Sequence, residues 1–254
     1  MQETYASKTA RSPWGLAIVM LLVGFFAGLL AAPRTTPTGR TVATNQTQPL
    51  EQRQPIVLTL TINGQSSQIV GNPILADATS GSTYSLGSST APITMIEFGD
   101  YRCGYCHLFT AQTFPKILEQ YIKTGKVRYI YRDTISVGGE QTVTVARVAA
   151  CMNTYGKFWD FHRMVHEETN VWGNFGGIQL IRTLAQMSTR FAINAKTLED
   201  CALKDAFAQR YTTEVELSRR FGVNGTPAFI INGYFFSGAL PFEAYQEIFK
   251  QLGV

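Results

Sequence analysis

Cys103-Gly104-Tyr105-Cys106 stands where a short apolar, strand-like run gives way to a helix-like one. The run Ile93-Thr94-Met95-Ile96-Glu97-Phe98 precedes it and ends in Gly99-Asp100. After it, Leu108, Phe109, Phe114, Ile117, Leu118, Tyr121 and Ile122 recur at helical spacing. A helix is therefore expected from Cys103 to about Lys123, kinked at Pro115. A Cys-x-x-Cys at such a junction puts its first sulfur at a helix N-terminus, where unpaired N–H groups and the positive end of the dipole favour a thiolate. A redox-active dithiol is the leading reading. Half of a zinc site is a rival, but no second ligand pair stands at metal spacing, and His162 and His166 lie far along the chain. Cys103-x-x-Cys106-His107 also spells the c-type haem attachment signal. The flanking strand and helix suit a redox dithiol better.

With 254 residues, 45% of them hydrophobic, the chain can fill at least one core. Its net charge of +4 is spread along the sequence without a basic run, which gives nucleic-acid binding no support. Residues Trp14 to Ala32 form an apolar run without a charge, about 28 Å long as a helix and so about as long as a bilayer core is thick. A cleaved signal peptide would need small residues at the cut, whereas Leu30 and Pro33 flank the available one, so an uncleaved transmembrane anchor is expected. Lys8 and Arg11 on one side are matched by Arg34 and Arg40 on the other, so charge does not orient it. The cysteine chemistry does: residues 1–13 are expected in the cytoplasm and the bulk of the protein outside it.

Residues 33–55, rich in Thr, Gln and Pro, read as a flexible linker. Residues 56–83 read as an extension built on a β-hairpin, its strands at 56–62 and up to Val70 joined by Asn63-Gly64. Turn formers crowd residues 72–92. Strands follow at 93–98, Val127–Tyr131, 228–232 and 234–236, with helical segments near 139–155, 157–168, 177–189, 195–202 and 204–221. A last helix starts at Pro241. The pattern is β-α-β, a helical block, then β-β-α.

This order resembles the DsbA-like branch of the thioredoxin superfamily over about residues 84–252. Four stretches carry the likeness: Tyr84-Ser85-Leu86-Gly87, Glu97-Phe98-Gly99-Asp100-Tyr101-Arg102-Cys103-Gly104-Tyr105-Cys106, Gly156-Lys157-Phe158-Trp159-Asp160-Phe161-His162, and Gly225-Thr226-Pro227-Ala228-Phe229. The resemblance implies an α/β thioredoxin fold over 84–254 with a helical domain inserted at about 138–221. It implies a thiol–disulfide oxidoreductase without cofactor or metal, acting on cysteine-containing exported proteins and recharged by a membrane-embedded, quinone-linked type of oxidase. Cys103 would be the exchanging sulfur and Cys106 the resolving one. Pro227 would be a cis-proline beside the disulfide. Thr226, Gly104 and Tyr105 would meet the substrate, and Glu97 would handle protons beneath the pair.

Several points stay open at this stage. Arg102 either adds to thiolate stabilisation or is a solvated loop charge. Cys151 and Cys201 either form a structural disulfide, as in several family members, or remain core thiols; a bridge closing that loop would add about 4 kcal/mol and suit an oxidising compartment. The stripe Phe158, Trp159, Phe161, Met164 and Val165 reads as helical core, or else as the rim of a substrate groove. The Gly-Tyr dipeptide departs from the Pro-His and Gly-Pro pairs of the best-known relatives. An oxidase is favoured over a reductase or isomerase using the same dithiol. Outside enzymology, a tethered binding or assembly module with a structural dithiol would share the sequence.

Overall fold

The computed structural model describes residues 57–62, 64–72, 78–79, 81, 84–205 and 207–254. The expected N-terminal segment, anchor and linker at 1–13, 14–32 and 33–55 lie outside the described residues. No helix among the described residues is long and apolar enough to cross a membrane.

A five-stranded sheet runs in the order β3-β5-β4-β6-β7. Its strands are β3 (Tyr84–Leu86), β4 (Ile93–Gly99), β5 (Val127–Asp133), β6 (Ala228–Ile231) and β7 (Tyr234–Ser237). The central strand β4 pairs parallel with β5 and antiparallel with β6. Because side chains alternate across a strand, the sheet feeds two cores. Met95, Tyr129, Tyr131, Phe229 and Ile231 face the larger one, and Ile96, Phe98, Ile130, Ala228 and Ile230 the smaller. β3 was not expected as a strand. Its three residues pair antiparallel with the edge of β5, among turn formers that hide so short a run.

The helix after the dithiol is not uniform. α1 (Gly104–Leu108) passes into a wide π turn at Phe109–Thr113, then α2 (Phe114–Ile117) and a second wide turn at Leu118–Ile122. Pro115 has no N–H to donate, and the Phe114 N–H reaches back five residues to the Phe109 carbonyl, so the expected kink takes the form of a widened turn.

Between β5 and β6 lies the helical block. It comprises α3 (Gly139–Thr154), α4 (Phe158–Glu167), the unexpected single turn α5 (Thr169–Trp172), α6 (Gly177–Met187), α7 (Ala195–Leu203) and α8 (Ala208–Arg220). A disulfide joins Cys151 on α3 to Cys201 on α7. The stripe on α4 is core: Phe158, Phe161, Met164 and Val165 are buried, and Trp159 is partly buried with its indole N–H on the Ser85 carbonyl at 3.3 Å. Arg132 of β5 is fully buried and makes a two-toothed ion pair with Glu214 of α8, both bonds at 3.0 Å, fastening the block to the smaller-core face of the sheet.

β1 (Val57–Ile62) and β2 (Gln65–Val70) form a separate antiparallel pair. Leu58 and Leu60 turn into the larger core, while the side-chain amide of Gln251 on α9 (Phe242–Gln251) accepts the Thr59 N–H at 3.2 Å and donates to the Thr59 carbonyl at 2.7 Å. That amide takes the place of a neighbouring strand on the exposed edge of β1.

Candidate active site

Cys103 occupies the N-cap position of α1 in extended backbone, and Cys106 sits one turn further in with no exposure. Both are free thiols in this structure. The Cys103 sulfur lies 3.1 Å from the Thr226 carbonyl oxygen, and the Thr226–Pro227 bond is cis. The strand-to-helix junction and the turn before β6, far apart in sequence, thus meet at one sulfur.

The two sulfurs have opposite acidities. The Cys106 thiol donates to Cys103 and holds its pKa down to about 5, aided by Thr226 and the backbone N–H groups of Cys106 and Tyr105 and opposed by burial. Cys106 is pushed far up, first by burial, then by that same hydrogen bond and by the charge of Glu97. One sulfur is therefore an anion at neutral pH and the other a thiol, as thiol–disulfide exchange requires of a reduced pair.

Glu97, the fifth of the seven residues of β4, is fully buried. Burial raises its pKa to about 8, against the opposing hydrogen bond from Tyr129. It interacts electrostatically with both sulfurs, its charge raising the Cys106 pKa and that of Cys103 raising its own. Next to it on the same sheet face, Gly99 leaves room for the Tyr131 ring, which a Cβ at position 99 would meet at 2.5 Å.

Asp100 had no role in the sequence reading, yet it organises the site. It is fully buried. Its Oδ2 accepts the backbone N–H groups of Ser136, Val137 and Gly138 at 2.9, 2.7 and 3.1 Å. Its Oδ1 accepts the Arg102 N–H at 2.8 Å and the Thr142 hydroxyl on α3, and its carbonyl accepts the Cys103 N–H at 3.0 Å. One carboxylate therefore ties the dithiol loop to the 134–138 loop and to the first inserted helix. Ser136 completes the link, its hydroxyl 2.9 Å from that of Thr226. Arg102 is partly exposed, and its guanidinium lies over the Trp172 ring at 5.7 Å, against the helical block.

Gly104 and Tyr105, expected to meet substrate, are exposed, and Tyr105 shows 67% of its surface. Leu108, Ile135 and Val137 add apolar surface on α1 and the 134–138 loop. The chain's three histidines are brought together against the expectation from their spacing. His166 lies 4.6 Å from His162 and 5.0 Å from His107, centroid to centroid. Burial holds His162 at about 3 and drives His166 well down, so both are neutral rings packed with Tyr101. His107 Nε2 donates to the Tyr101 carbonyl at 2.7 Å. No group of three or more His, Cys, Asp or Glu among the described residues is placed to hold a metal ion.

Residues 79–251 match the family model described as thioredoxin. The chain is 27% identical over 195 residues to disulfide bond formation protein D of Bacillus subtilis, covering 75% of this chain and 80% of that protein. It is 23% identical over 150 residues to a putative protein-disulfide oxidoreductase of Rickettsia typhi, covering 58% and 54%. Among solved structures, oxidised BdbD of Bacillus subtilis superposes with a TM-score of 0.59 at 23% identity, over 66% of this chain and 91% of that one. Wolbachia pipientis α-DsbA1 gives 0.58 at 23%, over 66% and 89%.

Proposed function

From the premise that this chain belongs to the thioredoxin family, in its DsbA-like branch of thiol:disulfide oxidoreductases, we propose that it introduces disulfides into exported proteins. The observation that carries this reading is the contrast between the two sulfurs: Cys103 is ionised beside the Thr226 carbonyl, and Cys106 is protonated behind it. A substrate thiolate attacks Cys103 of the Cys103–Cys106 disulfide. The bond between the two cysteines breaks, a mixed disulfide forms, and Cys106 leaves and takes a proton from Glu97. A second substrate thiolate then attacks the substrate sulfur of the mixed disulfide and expels Cys103 as a thiolate. Because the reduced pair holds a stabilised anion, it is the better leaving state, and the protein favours giving its disulfide away.

In this reading Thr226 presents backbone to an extended substrate segment and Pro227 shapes that turn. Tyr105 and Gly104 border the approach to Cys103. The run Trp14 to Ala32 anchors the chain in a bacterial membrane with residues 84–254 outside the cytoplasm, where a membrane-embedded, quinone-linked oxidase restores the disulfide. The Cys151–Cys201 bridge accords with an oxidising compartment.

Equilibration of the Cys103–Cys106 pair with glutathione tests the direction. A potential near that of DsbA, about −120 mV, is expected, and one near thioredoxin's, about −270 mV, would make the protein a reductase. Absence of any effect of Cys103→Ala on thiol oxidation would reduce the dithiol to a structural feature of a binding module.

A further inference from the structure

Glu97 is held by one oxygen only. Its Oε2 accepts the hydrogen bond of the Tyr129 phenol, while its Oε1 is buried with no hydrogen-bond partner among the described residues. The ionisable groups that face it are Cys103 and Cys106 from α1, Tyr129 and Tyr131 from β5, and Tyr245 from α9, and none of these is a cation. Register explains the placement of the phenols: Glu97 stands opposite Tyr131 in the parallel β4–β5 pair, and Met95 stands opposite Tyr129, so both tyrosines share the face of Glu97.

We propose that Tyr129 is the positioning residue for the proton of exchange: its phenol pins Oε2 and so leaves Oε1 as the atom that trades a proton with the Cys106 sulfur. The proposal rests on the reading of Cys103–Cys106 as the exchange centre. When a substrate thiolate opens that disulfide, the electron pair of the broken bond leaves on Cys106 and the proton on Oε1 passes to it, giving a thiol and a carboxylate. In the reverse step the Cys106 thiol returns its proton to Oε1. The freed pair attacks Cys103 and expels the substrate thiolate.

Through both directions Tyr129 stays a donor to Oε2. A hydrogen bond to a charged acceptor is worth more than one to its neutral form, so the phenol favours the carboxylate that must accept the proton. It does so without adding a charge to a dry site. Burial, together with the Glu97 charge, pushes the Tyr129 pKa well above the ordinary range, so the phenol keeps its own proton. Its ring packs against Phe114 and Trp159, contacts that phenylalanine would retain.

The test follows release of glutathione by Cys106 from a mixed disulfide at Cys103, against pH, in full-length protein. Tyr129→Phe should raise the pH midpoint by about one unit and slow release roughly tenfold below the original midpoint. 3-Fluorotyrosine at position 129, of nearly the same shape and a stronger donor, should lower it. In a Glu97→Gln background Tyr129→Phe should move the midpoint no further. An unmoved midpoint in Tyr129→Phe or with 3-fluorotyrosine, or an equal shift without Glu97, overturns the assignment of Tyr129 while leaving the exchange centre intact. Failure of the unsubstituted protein to release glutathione at any pH overturns the exchange centre itself.

Discussion

The Cys103 sulfur rests 3.1 Å from the carbonyl oxygen of Thr226, a residue 123 positions further along the chain. That carbonyl accepts from the thiol, while the anion is stabilised above all by Cys106 and then by the Thr226 side chain and the backbone N–H groups of Cys106 and Tyr105.

The first prediction concerns that anion. Alkylation of the reduced protein by iodoacetamide should rise with a midpoint near pH 5, on Cys103 alone, with Cys106 unmodified. Cys106→Ala removes the largest stabilising contact and should move the midpoint toward the ordinary thiol value. Because the folded pKa is depressed from 9.0 to about 5, this group's stability contribution is complete above the unfolded value and is lost as pH falls through about 5. Chemical denaturation of the reduced protein between pH 5 and 9 reads that slope, which Cys103→Ala should flatten.

Glu97 imposes the opposite slope. Its folded pKa is raised from 4.5 to about 8, so the native state holds a proton that the unfolded chain gives up, and stability is lost as pH rises through that window. Glu97→Gln should remove the loss, making the variant more stable than the parent at pH 8 by roughly 3 to 5 kcal/mol. The gap should close near pH 4. Urea midpoints at the two pH values measure it, and an unchanged gap would contradict the burial of this carboxyl.

Asp100→Ala strips the acceptor from three consecutive backbone N–H groups and from the Thr142 hydroxyl. With several donors left unmet at about 1 to 3 kcal/mol each, a loss of at least 3 kcal/mol is expected. Amide exchange should speed up first at Ser136, Val137 and Gly138, ahead of the sheet. Uniform acceleration across the molecule would mean that Asp100 does not act locally.

What the sequence disclosed and what it concealed divide along contact distance. Cys103 and Cys106 could be singled out because they form a spaced pair at a strand-to-helix junction, whereas Glu97, Thr226 and Pro227 drew their roles from the resemblance that their motifs carry. Those patterns also placed the helical block between the second and third core strands. Asp100 stood inside the quoted motif, but its partners lie up to 42 residues away, so nothing nearby distinguished it from a turn residue. Tyr129 read only as an aromatic in a strand. Its meaning depends on lying one pleat from Glu97 across the parallel pair, a register that no local pattern encodes. The contact of Arg102 with Trp172, seventy positions on, was hidden for the same reason.

Removing the bridge by Cys151→Ser with Cys201→Ser should cost about 4 kcal/mol, the chain-entropy value for a closed loop of about fifty residues. The alkylation midpoint of Cys103 should hold, because the bridge joins α3 to α7, apart from the groups that set its acidity. A midpoint shifted in the folded variant would mean that loss of the bridge reaches the dithiol through the Asp100–Thr142 contact on α3.

The same bridge sets a condition on maturation. A freshly synthesised copy presents four thiols, and two of them must be joined to each other, in a cross-link separate from the exchanging pair, before its inserted block is fully secured. The fold therefore depends on a disulfide that the exchanging pair of the same chain does not supply, since that bridge uses two other cysteines.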